Sequence, residues 1–121
     1  MMKSRLPFTA ALLVAVAMPA AAMMHNRLIN SAPLASKIVP APKTISLWFA
    51  EKPELALSTI ALAGADSAAV KLGAVTELVG ESHALTVTVE GALTTGKHVV
   101  RYKTVGTDGH PLRGSYTFVV K

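Results

Sequence analysis

Two side chains able to hold a metal ion stand two positions apart in Gly106-Thr107-Asp108-Gly109-His110-Pro111, namely Asp108 and His110. A carboxylate oxygen and a neutral imidazole nitrogen suit Cu(II), Zn(II) and Ni(II). Gly109 lets the backbone bend so that both can point the same way, and Pro111 stiffens the exit. Two ligands alone hold a metal weakly, so a third group must come from elsewhere. The ordinary use of the same residues is a turn, in which Asp108 caps backbone N–H groups and His110 is solvated; from these residues alone the turn is the simpler reading. The candidate third ligand is His25, far away in the chain, whose ordinary fate would be that of a histidine on a frayed terminus.

The segments that must position this loop read as strands. Before it, Val100, Tyr102 and Thr104 alternate with Arg101 and Lys103; after it, Tyr116, Phe118 and Val120 alternate with Ser115, Thr117 and Val119. Leu85-Thr86-Val87-Thr88-Val89 alternates strictly, with aliphatics on the core side and threonines on the other. Thr44 to Phe49 places Ile45, Leu47 and Phe49 on one face, between Pro42 and Pro53. Leu28 to Asn30 and Ser58 to Ala63 add further strands, with a short piece at Val70 to Leu72. About seven short strands separated by Gly, Pro, Asp and Ser predict an all-β, immunoglobulin-like β-sandwich, although a small barrel would give a similar count. Ala65 to Ala69 and Val75 to Val79 permit helix but are too short to change that class.

The beginning of the chain has a different character. Lys3 and Arg5 precede an apolar run from Phe8 to Met18, and Pro19 then leads to Ala20-Ala21-Ala22. That pattern predicts a cleavable export signal over residues 1–22, with cleavage as late as 24, and a folded domain over 23–121. A retained membrane anchor is the competing reading, and Pro19 and the small residues argue against a stable span. Removing Lys3 and Arg5 takes the formal net charge from +5 to +3, and the remaining cations are scattered without aromatic interleaving, so nucleic acid is not an expected partner. The chain has no cysteine, so stability must come from the core and any metal site must use nitrogen, oxygen or thioether sulfur. No nucleophile stands at suggestive spacing from a base, and no hydrolase-like carboxylate pair is apparent, so an enzyme is not expected.

Three anchors make the sequence similar to the CopC-type periplasmic copper-resistance proteins. His25-Asn26-Arg27-Leu28 with Ser31-Ala32-Pro33 resembles the family's N-terminal His-x-x-Leu and its later proline. Leu47-Trp48-Phe49-Ala50-Glu51 resembles its strand ending in Phe-Ser-Glu. Asp108-Gly109-His110-Pro111 followed by Gly114-Ser115-Tyr116-Thr117-Phe118 is the most specific of the three, while Leu55 to Gly96 matches only in strand character. The resemblance implies a Greek-key β-sandwich that binds Cu(II) through His25, Asp108 and His110, with Glu51 in a supporting position. A solvated carboxylate ending a strand remains an equal reading of Glu51. Arg27 stands where some members have another histidine, and the chain has no Met beyond Met24, so the family's methionine-rich Cu(I) site is missing.

In the family's arrangement the first histidine gives both imidazole and free α-amine, which here requires a cut after Met24. A cut after Ala22 fits signal-peptide chemistry better and leaves Met23-Met24-His25 in front. A free amine followed by histidine at position three can chelate Cu(II) in a square plane, leaving Asp108 and His110 an axial or outer role. Imidazole-only ligation by His25 with the loop pair is the third arrangement. His83 reads as solvated in a polar turn beside Glu81 and Ser82, His98 begins a strand and could face either side, and Trp48 reads as packing. The function expected is periplasmic buffering or delivery of Cu(II) in copper resistance or homeostasis by a monomer, with a membrane copper transporter or an outer-membrane copper protein as partner. The alternative is a metal-free exported immunoglobulin-like interaction module.

Overall fold

The computed structural model describes residues 26–121; the leader expected over 1–22 and His25 lie outside the described residues. Nine strands follow in order: β1 (Leu28–Ala32), β2 (Ile38–Val39), β3 (Thr44–Phe49), β4 (Thr59–Ala63), β5 (Ala69–Val70), β6 (Thr76–Leu78), β7 (Glu81–Thr88), β8 (Gly96–Val105) and β9 (Pro111–Val120). One 3-10 turn, Leu55–Leu57, precedes β4. The strands form a four-stranded sheet in the order β1-β3-β7-β6 and a five-stranded sheet in the order β2-β9-β8-β4-β5. The chain passes between sheets from β1 to β2, from β2 to β3, from β3 to β4, from β5 to β6 and from β7 to β8, which makes the expected sandwich. The two strands beyond the seven expected are β2, a two-residue edge pairing too short to show an alternation, and β6, which lies in a segment that permits helix.

Burial follows the period of two that the sequence displays. Ile45, Leu47 and Phe49 of β3 and Leu85 and Val87 of β7 meet Leu62 of β4, Val100 of β8 and Phe118 and Val120 of β9 in one core. Each such aliphatic or aromatic side chain, once buried, stabilises by about 1.5–3 kcal/mol relative to exposure. Inside the core, Ser58 and Thr104 satisfy one another: their hydroxyls lie 2.7 Å apart and Ser58 donates onward to the Glu54 carbonyl at 2.7 Å.

Four local readings are changed or decided in the folded chain. Val75 to Val79 is not helical: Thr76–Leu78 pairs with β7 as β6, and Gly80 at φ 81° closes the hairpin where a side chain would be strained. β7 begins at Glu81, so His83 lies on an exposed strand position and not in a turn. His98 is fully buried in phase with Val100, its ring stacked on Phe118 with centroids 5.5 Å apart and its Nδ1 2.9 Å from the Gly96 carbonyl. Trp48 is half-buried and its Nε1 donates to Glu81 Oε2 at 2.9 Å, so the indole clamps two strands and lies outside the core.

Two tyrosines fill the space beside the last hairpin. Tyr102 meets Phe49 edge-on, with ring centroids 5.8 Å apart, and its ring crosses directly over Gly114, its partner on β9. Replacing Gly114 by Ala drives a methyl into the Tyr102 ring and is expected to destabilise the fold by about 1–3 kcal/mol, read as a lowered midpoint in chemical denaturation. Tyr116 is half-buried; its Oη makes no hydrogen bond, and burial pushes the phenol up to about 12, opposed by the nearby Ser31 hydroxyl. Burial raises Tyr102 in the same direction. Between the ordinary tyrosine value of 10 and about 12, the unfolded chain loses phenolic protons that the folded chain keeps. Stability is therefore expected to be unaffected by these groups below pH 10 and to fall as pH rises through that window, an effect that Tyr116→Phe should reduce in alkaline denaturation curves.

Candidate metal centre

The loop that carries Asp108 and His110 is the turn between β8 and β9. These strands pair without interruption from Gly96 opposite Val120 to Val105 opposite Pro111, so the turn is held at the end of a long, regular hairpin. The Gly109 N–H donates to the Gly106 carbonyl at 3.0 Å, and Gly109 itself sits at φ 80°, a conformation glycine adopts without cost. Asp108 uses both carboxylate oxygens on His110: Oδ1 accepts from the His110 backbone N–H at 3.0 Å, and Oδ2 lies 3.0 Å from His110 Nδ1. The His110 side chain is 75% exposed and that of Asp108 22%, so the imidazole faces solvent while the carboxylate is set behind it. In the tautomer whose Nδ1–H donates to Asp108 Oδ2, the lone pair of the ring is on Nε2, the nitrogen that can then ligate a metal.

A second segment reaches the same place. β1 pairs with β3 from Leu28 opposite Phe49, and the Ala50 N–H donates to the Arg27 carbonyl at 2.9 Å, which draws the start of the described chain toward Glu51. Asn26 Oδ1 accepts from the backbone N–H groups of Arg27 at 3.0 Å and Glu51 at 3.1 Å, fastening residue 26 to the end of β3. The Glu54 N–H donates to the Val105 carbonyl at 2.9 Å, so the chain after Glu51 is tied to the last residue of β8. Gly106 is the meeting point. A side chain starting there would stand 3.1 Å from Glu51 Oε2, 3.3 Å from Asp108 Oδ1 and 3.5 Å from Asn26 Cβ. The Thr107 hydroxyl completes the cluster with a long 3.4 Å contact to Glu51 Oε2.

Of the sequence-predicted site residues, Glu51, Asp108 and His110 gather at one end of the sandwich. His25 lies outside the described residues, and its neighbour Asn26 is in the cluster. Among the described residues no group of three or more His, Asp or Glu side chains forms a metal cage. Asn26, Gly106 and Thr107 were not foreseen as parts of the site. A glycine immediately before the turn is a visible signal for close approach, whereas the bridging by Asn26 needs β3 beside β1 and has no signal in the sequence.

Comparison with known proteins agrees with this architecture. Residues 28–121 match the CopC domain. The chain is 34% identical over 107 residues to copper resistance protein C of Xanthomonas campestris pv. juglandis, covering 84% of each protein. It is 28% identical to copper resistance protein C of Pseudomonas syringae pv. tomato, with full coverage of both. Among solved structures it is similar to CopC from Methylosinus trichosporium OB3b, with a TM-score of 0.72 at 28% identity, covering 80% of this chain and 94% of that one. It is also similar to PcoC, a copper resistance protein from Escherichia coli, with a TM-score of 0.70 at 28% identity, covering 78% of this chain and 99% of that one. With the domain matched over most of its length and the same sandwich formed, the chain belongs to the CopC family.

Proposed function

We propose that this protein is exported to the periplasm and binds Cu(II) there for copper resistance or homeostasis, buffering the ion or passing it to a membrane transporter or an outer-membrane copper protein. It performs no catalysis. Residues 1–22 act as the leader, with cleavage as late as 24, and His25, Asp108 and His110 hold the ion. Glu51 supports the site from behind Gly106.

The observation that carries this reading is the convergence at Gly106: the residue next to His25 and the acid of the turn are both held against one glycine. On this reading His25 joins the two groups of the turn in one chelate, and the pairing that fastens Asn26 beside the turn lowers the entropy cost of bringing the three ligands together. The exposed imidazole and its carboxylate suit a cargo ion that must enter and leave. The turn is also stable by its own hydrogen bonds, which favours, as a second reading, a metal-free interaction module of the same fold.

Cu(II) titration of the correctly processed protein separates the two readings. On the copper reading, Asp108→Ala and His110→Ala each weaken Cu(II) binding by about 10–100-fold. Equal, tight binding in both variants assigns the ion to a chelate at the chain's start, and no binding in any form leaves the interaction module. Lowering the pH is expected to release copper, since protons compete for imidazole and carboxylate. Intact mass and N-terminal sequencing of protein from its native compartment decide whether His25 contributes its α-amine: a chain starting at His25 allows it, and one starting at Met23 requires the three-residue chelate or imidazole-only binding. Gly106→Ala should weaken binding by about threefold to tenfold with the fold intact by circular dichroism, because the added methyl separates Glu51, Asp108 and Asn26.

A further inference from the structure

Charge is divided between the two sheets. Every Lys and Arg that lies in a strand is on the five-stranded sheet, namely Lys97, Arg101 and Lys103 of β8 and Arg113 of β9, and that sheet contains no Asp or Glu. The strand-borne carboxylates, Glu77 of β6 and Glu81 of β7, are both on the four-stranded sheet, which has no Lys or Arg. Those carboxylates are engaged: Glu77 lies 3.9 Å from Lys52 Nζ, and Glu81 accepts from Trp48. Among the described residues, Arg101, Lys103 and Arg113 have no carboxylate within salt-bridge distance.

The cations are also crowded. Lys103 stands directly opposite Arg113, and Arg101 is two residues along on the same outward face. Like charges directly opposite across a strand pair destabilise a sheet, so folding gains nothing from this arrangement. Thr59 and Ala61 of β4 and Gly114 of β9 keep the floor low between the three long side chains, leaving a shallow cavity of about 300 Å³. A carboxylate entering it meets two guanidinium forks and an ammonium within one small area, a donor set suited to acidic side chains.

We propose that this outer face of the five-stranded sheet docks an acidic segment of a partner protein, with Arg101, Lys103 and Arg113 receiving its Asp or Glu side chains. A second copy of this chain is a poor occupant, because the carboxylates on its four-stranded sheet already have partners and the net charge of +3 left after loss of Lys3 and Arg5 repels its like. Lys103 and Arg113 lie at the end of the hairpin nearest the 106–110 turn, so a docked partner stands beside the Asp108–His110 pair. Only this last clause rests on the copper reading; the docking itself needs no metal.

The test uses the processed protein without metal. A labelled oligoglutamate peptide is titrated at low salt while backbone amide shifts are recorded, with phosphatidylglycerol vesicles in parallel. The expected result is saturable peptide binding with shifts centred on β8, β9 and β4. The triple variant Arg101→Gln, Lys103→Gln, Arg113→Gln should weaken it by about tenfold, and Lys43→Gln should leave it unchanged. Shifts centred elsewhere, an equal loss in Lys43→Gln, binding to vesicles but not to peptide, or no binding at all would each overturn the proposal. Because no metal is present, none of those outcomes bears on copper binding, which Asp108→Ala and His110→Ala test separately. Lys103→Gln alone should also raise the thermal midpoint slightly, since it removes the opposed like charges.

Discussion

The continuous antiparallel pairing of β8 with β9 is the constraint on which the rest of the molecule depends. It runs from Gly96 opposite Val120 to Val105 opposite Pro111, longer than any other ladder in the described chain. Its inward side chains, Val100, Phe118 and Val120, form the five-stranded half of the core with Leu62 of β4, so register cannot slip without turning that face to water. The same register decides where chemistry can occur. It fixes the 106–110 turn at one end of the sandwich and aligns Lys103 with Arg113 on the outside.

A rigid hairpin can present a turn without supplying everything that turn needs. The second requirement is met by β3, which pairs with β1 on one side and β7 on the other and thereby brings the first described residues beside Glu51. Contact between the two sheets at this end then passes through Gly106, where the absence of a side chain lets Glu51, Asp108 and Asn26 approach one another. The proposed copper site is thus a product of both sheets. Neither the hairpin nor the β1–β3 pair contains it alone.

Polar groups inside the sandwich show how a domain without cysteine keeps a specific packing. Ser58 and Thr104 share their hydrogen bonds in the core, and on the outward face of the four-stranded sheet Ser46 and Thr86 pair across β3 and β7 at 2.9 Å. His98 satisfies one ring nitrogen on Gly96 and stacks on Phe118, a use of histidine as packing and not as a ligand. These contacts are long-range in sequence and help hold one register against its neighbours.

Alternation in Thr44–Phe49, Leu85–Val89, Val100–Thr104 and Ser115–Val120 was enough to determine the class of fold, because a strand with one buried face must repeat every two residues. The spacing of Asp108 and His110, with the flanking Gly109 and Pro111, marked the turn as a candidate because both groups belong to a single local structure, but alone it fitted an ordinary turn, and the resemblance to the CopC family was needed to favour a metal there. Local pattern could not say which way His98 faces, that Thr76–Leu78 pairs with β7, or that Asn26 grips Glu51. Nor could it show that the cations of β8 and β9 stand together on one sheet and the carboxylates of β6 and β7 on the other. Each of these depends on which strands become neighbours. Pairing is a long-range outcome of burying two apolar faces together, and only the folded chain carries it out.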